Sequence, residues 1–273
     1  MLLPQGLQLF SVVLVSAVAG AMNSIAGGGT LLTFPALVGL GIPPIIANAT
    51  STVALWPGSV SSMWGYRDEL GGARRWAFGF AIPSLLGGAA GAWLLIRTPP
   101  SRFAAIVPWL VFAATALFML QPPVMRWVRG RRSSTLQDAN IATDERTDAD
   151  RTSGFPSIAV LFAQFALGVY GGYFGAGAGI LMLAILGFIG LSNIHRMNGL
   201  KNWGGLCMNF VAASMFAFSG LVRWPVALAM ATASITGGYV ASRTALRVPQ
   251  KYIRTAVVFI GLTGGIWLWF KSH

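Results

Sequence analysis

Ala26-Gly27-Gly28-Gly29-Thr30-Leu31 and Ala176-Gly177-Ala178-Gly179-Ile180-Leu181 stand 150 residues apart, and each separates a long apolar run from a short one. Sliding the chain over itself by that offset also pairs Asn48 with Asn198, Ser84 with Ser234, and Gly87 and Gly88 with Gly237 and Gly238. Arg97 meets Arg247 and Pro99 meets Pro249. Glycine, asparagine and proline are costly residues to match by accident in a leucine-rich background, so the chain reads as an internal duplication. Between about 60 and 80 the match slips, with Arg75-Trp76 answering to Arg223-Trp224, which puts a small length change in that loop.

Outward from the glycine clusters, apolar runs fall at 7–26, 30–41, 45–66, 76–96 and 103–121, then at 156–175, 179–191, 197–218, 225–246 and 252–270. Most reach the roughly 20 residues that a helix needs to cross a bilayer. The two short runs, 30–41 and 179–191, directly follow the glycines and are predicted to be parts of broken helices. Composition agrees: 55% of residues are hydrophobic, 10% are charged and the mean hydropathy is +0.67, where a soluble domain carries about a quarter charged. Such a chain is neither disordered nor a disulfide scaffold, since Cys207 is its only cysteine. One thiol and two histidines cannot furnish the roughly four ligands of a zinc or iron-sulfur site. No metal or cofactor is expected.

A net charge of +12 would suggest nucleic acid in a soluble protein. Here the basic residues cluster at the ends of apolar runs, where they anchor and orient membrane helices, and no nucleic-acid partner is expected. All seven carboxylates sit in two polar stretches, Asp68-Glu69 and Asp138 to Asp150, and none lies in an apolar run. If the short segments count as crossings, each half has five and the second half inserts upside down. One side then holds Arg67, Arg74, Arg75, Arg126, Arg129, Arg131, Arg132, Arg196, Arg243, Arg247, Lys251 and Arg254, against Arg97, Arg102, Arg223 and Lys271 on the other. Without those crossings the same residues split almost evenly, so the positive-inside bias favours two inverted repeats. The N-terminus then faces outward. Ala17-Val18-Ala19 resembles a signal-peptide cleavage triplet, but no Lys or Arg precedes the apolar core, and the same pattern recurs within the chain.

The predicted organisation is a first transmembrane repeat over 1–121, a charged cytoplasmic linker over 122–155 and a second repeat over 156–273. Arg126 to Arg132 followed by a polar tail suits a flexible linker rather than a domain. Nothing in the sequence sets an oligomeric state.

Inverted-repeat transporters hold substrate near the membrane midplane, between broken helices whose N-termini point inward. A helix starting at Thr30 or Ile180 leaves about four backbone N–H groups unpaired and carries partial positive charge, so it can receive an anion without a charged side chain. The glycines before it let a ligand approach the backbone, although small residues also serve close helix packing in membranes. On the next helix of each half, polar groups share a face at helical spacing: Asn48, Ser51, Thr52 and Ser59, then Asn198, Lys201, Asn202, Gly205 and Asn209. Each asparagine reads equally well as an interhelical hydrogen bond or as a ligand contact. Lys201 is the one basic residue more than a turn inside a predicted span, and an intramembrane charge is a functional candidate by default. Its other reading is a side chain stretching toward the cytoplasmic edge near His195 and Arg196. The absence of carboxylates from the apolar runs argues against an acidic proton relay or cation site.

Gly20-Ala21-Met22-Asn23-Ser24-Ile25-Ala26-Gly27-Gly28-Gly29, then Pro35-Ala36-Leu37, then Ala47-Asn48-Ala49-Thr50-Ser51-Thr52, resemble the sulfite exporter TauE/SafE family, also called the toluene sulfonate uptake permease family. Gly168 to Gly179 and Asn198 to Lys201 resemble its second half. The resemblance covers nearly the whole chain outside the 122–155 linker. It implies an inner-membrane transporter of small sulfur-containing or organic anions such as sulfite or organosulfonates. The binding residues it implies are Asn23, Gly27, Gly28, Gly29 and Thr30 with Gly175, Gly177 and Gly179, together with Asn48, Thr50, Ser51 and Thr52 and with Asn198, Lys201 and Asn202. Tyr173 in place of Asn23 and Lys201 in place of Ser51 depart from a symmetric two-fold site.

The expectation is therefore an all-α integral membrane protein that moves an anion by alternating access, with an anion channel, or a permease for another small anion such as a carboxylate, as the alternative. An intramembrane enzyme lacks support, because no marked Ser or Cys nucleophile accompanies His195. Export of an anion needs no coupling ion, since an inside-negative potential contributes about 2.3 kcal/mol per charge per 100 mV.

Overall fold

In the computed structural model residues 5–25, 28–65, 70, 73–133, 154–191, 193–244 and 250–272 are described, and their regular structure is entirely helical. The helices are α1 (Gln5–Ile25), α2 (Thr30–Gly39), α3 (Pro44–Gly65), α4 (Arg74–Arg97), α5 (Pro100–Ser133), α6 (Ile158–Tyr173), α7 (Ala178–Phe188), α8 (Ile194–Phe218), α9 (Trp224–Thr244) and α10 (Gln250–Ser272). Each apolar run has become one helix. The largest departure is α5, which continues through Pro122 and Pro123 to Ser133 instead of ending at 121. Two prolines remove two amide donors, yet the helix carries the first third of the expected linker; residues 134–153 lie outside the described residues. Helix α4 and the Pro100–Leu120 part of α5 are long and apolar enough to cross a membrane.

Helices α2 and α7 are short, with 10 and 11 residues. At 1.5 Å per residue they span about 15 to 17 Å, half of a ~30 Å hydrocarbon core. Glycine makes the breaks. Gly28 at φ 106°, Gly175 at φ 78° and Gly177 at φ 80° occupy a left-handed region that a β-carbon disfavours, so the backbone reverses there and a new helix begins.

Packing follows a pattern of exchange between the halves. Helix α1 packs on α9 as α6 packs on α4, α3 packs on α9 as α8 packs on α4, and α2 meets α10 as α7 meets α5. The pairs α3 with α8 and α5 with α10 map onto themselves. The closest approaches are glycine-lined. A β-carbon on Gly172 would collide with the Gly88 carbonyl, one on Gly91 with the Val169 carbonyl, and one on Gly237 with the Ala17 carbonyl. Backbone-to-backbone contact of this kind is how membrane helices gain dispersion energy where lipid and side chain are equally apolar.

Polar groups are buried within the hydrophobic core while large apolar side chains lie on the surface. Ser16, Thr33, Asn48, Thr50, Ser51, Ser84, Thr115, Gln164, Lys201 and Ser234 are buried, while Phe78, Ile82 and Leu86 along α4, Phe162 on α6 and Phe218 on α8 are exposed. Buried hydroxyls and amides are tolerated because they are bonded: Gln164 Nε2 donates to Ser84 Oγ at 2.8 Å, and Ser234 Oγ donates to the Ala54 carbonyl at 3.1 Å. Large apolar side chains on the perimeter, with bonded polar groups set within an apolar core, suit hydrocarbon as the surrounding solvent.

Candidate substrate site

The broken helices position the site. Asn23 and Gly28 beside the start of α2, with Thr30 at that start, share a cavity of about 80 Å³ with Gly175, Ala178 and Gly179 at the start of α7. Thr52, Trp56 and Ser59 of α3 and Lys201, Asn202, Gly205 and Asn209 of α8 complete its polar wall. At ~15 Å³ of accessible volume per water, the space suits something the size of about five water molecules.

Local hydrogen bonds fix each wall. Asn23 Oδ1 accepts the Gly29 N–H at 2.8 Å, which ties the end of α1 to the start of α2 and leaves the Asn23 amide nitrogen as its remaining polar group. The second glycine segment is held by Tyr170, whose hydroxyl donates to the Ala176 carbonyl at 2.6 Å, and by Asn48, whose Nδ2 donates to the Tyr173 carbonyl at 2.9 Å. Helix α8 starts on an asparagine cap, with Asn193 Oδ1 accepting from the His195 and Arg196 amides. Trp203 Nε1 then donates to the Ala77 carbonyl at 2.8 Å and seats α8 against α4. Lys201 and Asn202, on the turn just before that seat, face the cavity.

Three donors on residues lining this cavity have no hydrogen-bond partner among the described residues: Lys201 Nζ, Asn202 Nδ2 and Trp56 Nε1, all buried. Lys201 is only 3% exposed, so its ammonium stays inside the helix bundle and does not stretch to the edge. No carboxylate is among the described residues that line it. A buried lysine beside donors that have no partner among the described residues favours an anion by Coulomb attraction in a weakly screened interior. Thr52 and Asn209 spend a donor on their own helix, on the Asn48 and Gly205 carbonyls. Among the described residues no three His, Cys, Asp or Glu side chains come together as a metal site.

The sequence-expected residues divide into two groups. Asn23, Gly28, Thr30, Thr52, Gly175, Gly179, Lys201 and Asn202 line the cavity. Asn48, Thr50 and Ser51 are outside its lining: Thr50 Oγ1 accepts the Arg223 N–H at 3.1 Å, and the Ser51 and Thr33 hydroxyls pair at 2.5 Å. Gly29 bonds Asn23, Gly177 packs on Ala114, and half-buried Asn198 stands one turn before Lys201 on α8, outside the lining. Gly27 lies outside the described residues.

A family profile described as sulfite exporter TauE/SafE matches residues 12–268. The chain belongs to that family. It is similar to the probable membrane transporter protein YfcA of Escherichia coli (strain K12), 28% identical over 267 residues that cover 95% of this chain and 88% of that one. It is also similar to the probable membrane transporter protein ORF9 of Sinorhizobium sp, 28% identical with 90% and 86% covered. A probable membrane transporter protein of Haemophilus influenzae is 26% identical, with 93% and 92% covered. No solved structure matches. The protein is a membrane transporter of the TauE/SafE family.

Sequence reading of this TauE/SafE chain missed Trp56. The signal was present: Trp56 stands four residues after Thr52 and three before Ser59, on the same helical face. An indole N–H is a donor that seeks a partner when buried.

Proposed function

We propose that this TauE/SafE transporter carries a small sulfur-containing or organic anion out of the cell by alternating access, with Lys201, Asn202 and the start of α7 as its principal anion contacts. The observation that carries the reading is the set of three buried donors, one of them a lysine, on residues that line one cavity and without an acceptor among the described residues. The start of α7 adds to it: Gly179 lines the cavity just inside a helix N-terminus, where partial positive charge collects. The corresponding N–H of the first half, on Gly29, is already taken by Asn23. The site is thus weighted toward the second half.

We further read the protein as two inverted repeats in the inner membrane, with the N-terminus outside and the 122–155 linker in the cytoplasm. The exchange pattern in the packing and the twelve-to-four distribution of basic residues support this reading. Outward movement of the anion runs with the membrane potential and needs no carboxylate relay.

The test is transport of sulfite by purified protein in vesicles. Lys201→Ala is expected to lower sulfite flux about ten- to a hundredfold, the loss of one charged hydrogen-bond donor, while the protein still inserts and elutes as a single species. Unchanged flux removes Lys201 from the site. Saturation and counterflow mark a carrier; conductance without either marks an anion channel.

A further inference from the structure

Trp56 belongs to two cavities at once. It lines the polar one, its indole N–H is buried with no partner among the described residues, and it also lines an apolar groove of about 270 Å³ between α3, α8 and α9, where Phe210, Trp224 and Leu228 are exposed on the outer face of the bundle. That second space is lined mainly by apolar groups, among them Val53, Pro57, Phe210, Ala213 and Leu228. The indole is held by Phe210, with ring centroids 5.4 Å apart. The two volumes differ in what they can take. A closed cavity of about 150 Å³ is enough for benzene; the polar space is about half that, at about 80 Å³, and the apolar groove nearly twice it, at about 270 Å³.

We propose that Trp56 is the size filter of the anion site, closing a space for compact oxyanions off from an apolar groove on the outer face of the bundle that would otherwise receive an organic substituent. The inference rests on the anion reading given above and narrows it: the preferred substrate is a compact oxyanion of sulfite size, and aryl sulfonates are excluded by the indole. Trp56 has two separable contributions. Its N–H is one more donor to the anion, and its ring bulk is the partition.

The experiment measures flux of sulfite and of p-toluenesulfonate in vesicles carrying the full chain. Wild type should favour sulfite by about tenfold or more, a discrimination typical of a pocket that rejects added apolar bulk. Trp56→Ala should shrink that ratio by about tenfold by joining the space to the groove. Trp56→Phe should keep the ratio and raise the sulfite concentration at half-maximal flux by about three- to tenfold, as befits a lost hydrogen bond. If the alanine variant does not give a single folded species, Trp56→Leu makes the same test. An unchanged ratio in Trp56→Ala or Trp56→Leu overturns the filter, as does an equal collapse of the ratio in Trp56→Phe. Lys201→Ala separates the two claims: loss of both anions there, with an unchanged ratio in Trp56→Ala, sinks the filter and leaves the anion reading standing. Wild-type vesicles that move neither anion sink both.

Discussion

Asn48 and Asn198 occupy matching places in the two halves, yet they meet different fates. Asn48 is fully buried and spends its amide on the Tyr173 carbonyl across 125 positions of sequence, whereas Asn198 is half-buried one turn away from the cavity. Helical spacing told which face each residue occupies, because a 3.6-residue period is a property of the sequence. Whether a polar group finds its partner on a neighbouring helix is decided by packing, and that information is absent from any single helix. This is why Thr50, Ser51 and Asn48 read as ligand contacts while the structure shows each bonded to another segment of the chain. Asn48→Ala is therefore expected to act on stability. Loss of one interhelical bond should cost about 1 kcal/mol, seen as a lower melting temperature in detergent, with the ranking of anions unchanged; a changed ranking would move Asn48 into the site.

Elements were more legible than contacts. Ten apolar runs became ten helices among the described residues, and the two short ones were correctly placed after glycines, since burial of about 20 apolar residues and the freedom of Gly28 and Gly175 are both written locally. The end of α5 was not legible, because Pro122-Pro123 weakens a helix without reporting whether the flanking turns outweigh it. Close packing of α4 on α6 depends on glycine at facing positions. Gly172→Val would drive a side chain into the Gly88 carbonyl, and overpacking of this kind costs about 1–3 kcal/mol or more. It should broaden the gel-filtration profile and lower the melting temperature by several degrees. Gly39→Ala, where an added β-carbon meets nothing within 4 Å, is the control and should behave as wild type.

For the molecule as a whole, the charge distribution makes a claim about sidedness that no contact within the bundle can test. In a Cys207→Ser background, a cysteine at Ser133, at the end of α5, should resist a membrane-impermeant maleimide applied to intact cells. One at exposed Ser101, between α4 and α5's second turn, should react. Reversed labelling would overturn the orientation, and equal labelling of both would overturn the five-crossing repeat. The internal duplication was readable because it repeats costly residues at one offset. The exchange of packing partners was not, since it is a relation between helices from different halves.

The three donors without a partner also bear on how the molecule holds together. Lys201, Asn202 and Trp56 bring hydrogen-bonding capacity into the bundle that the described residues do not meet and that water or cargo can meet. Folding and occupancy are then thermodynamically linked: a ligand present at a hundred times its dissociation constant adds about 2.7 kcal/mol to the folded state. The heat resistance of the detergent-solubilised protein becomes a readout of cargo identity, obtained without a vesicle or a gradient.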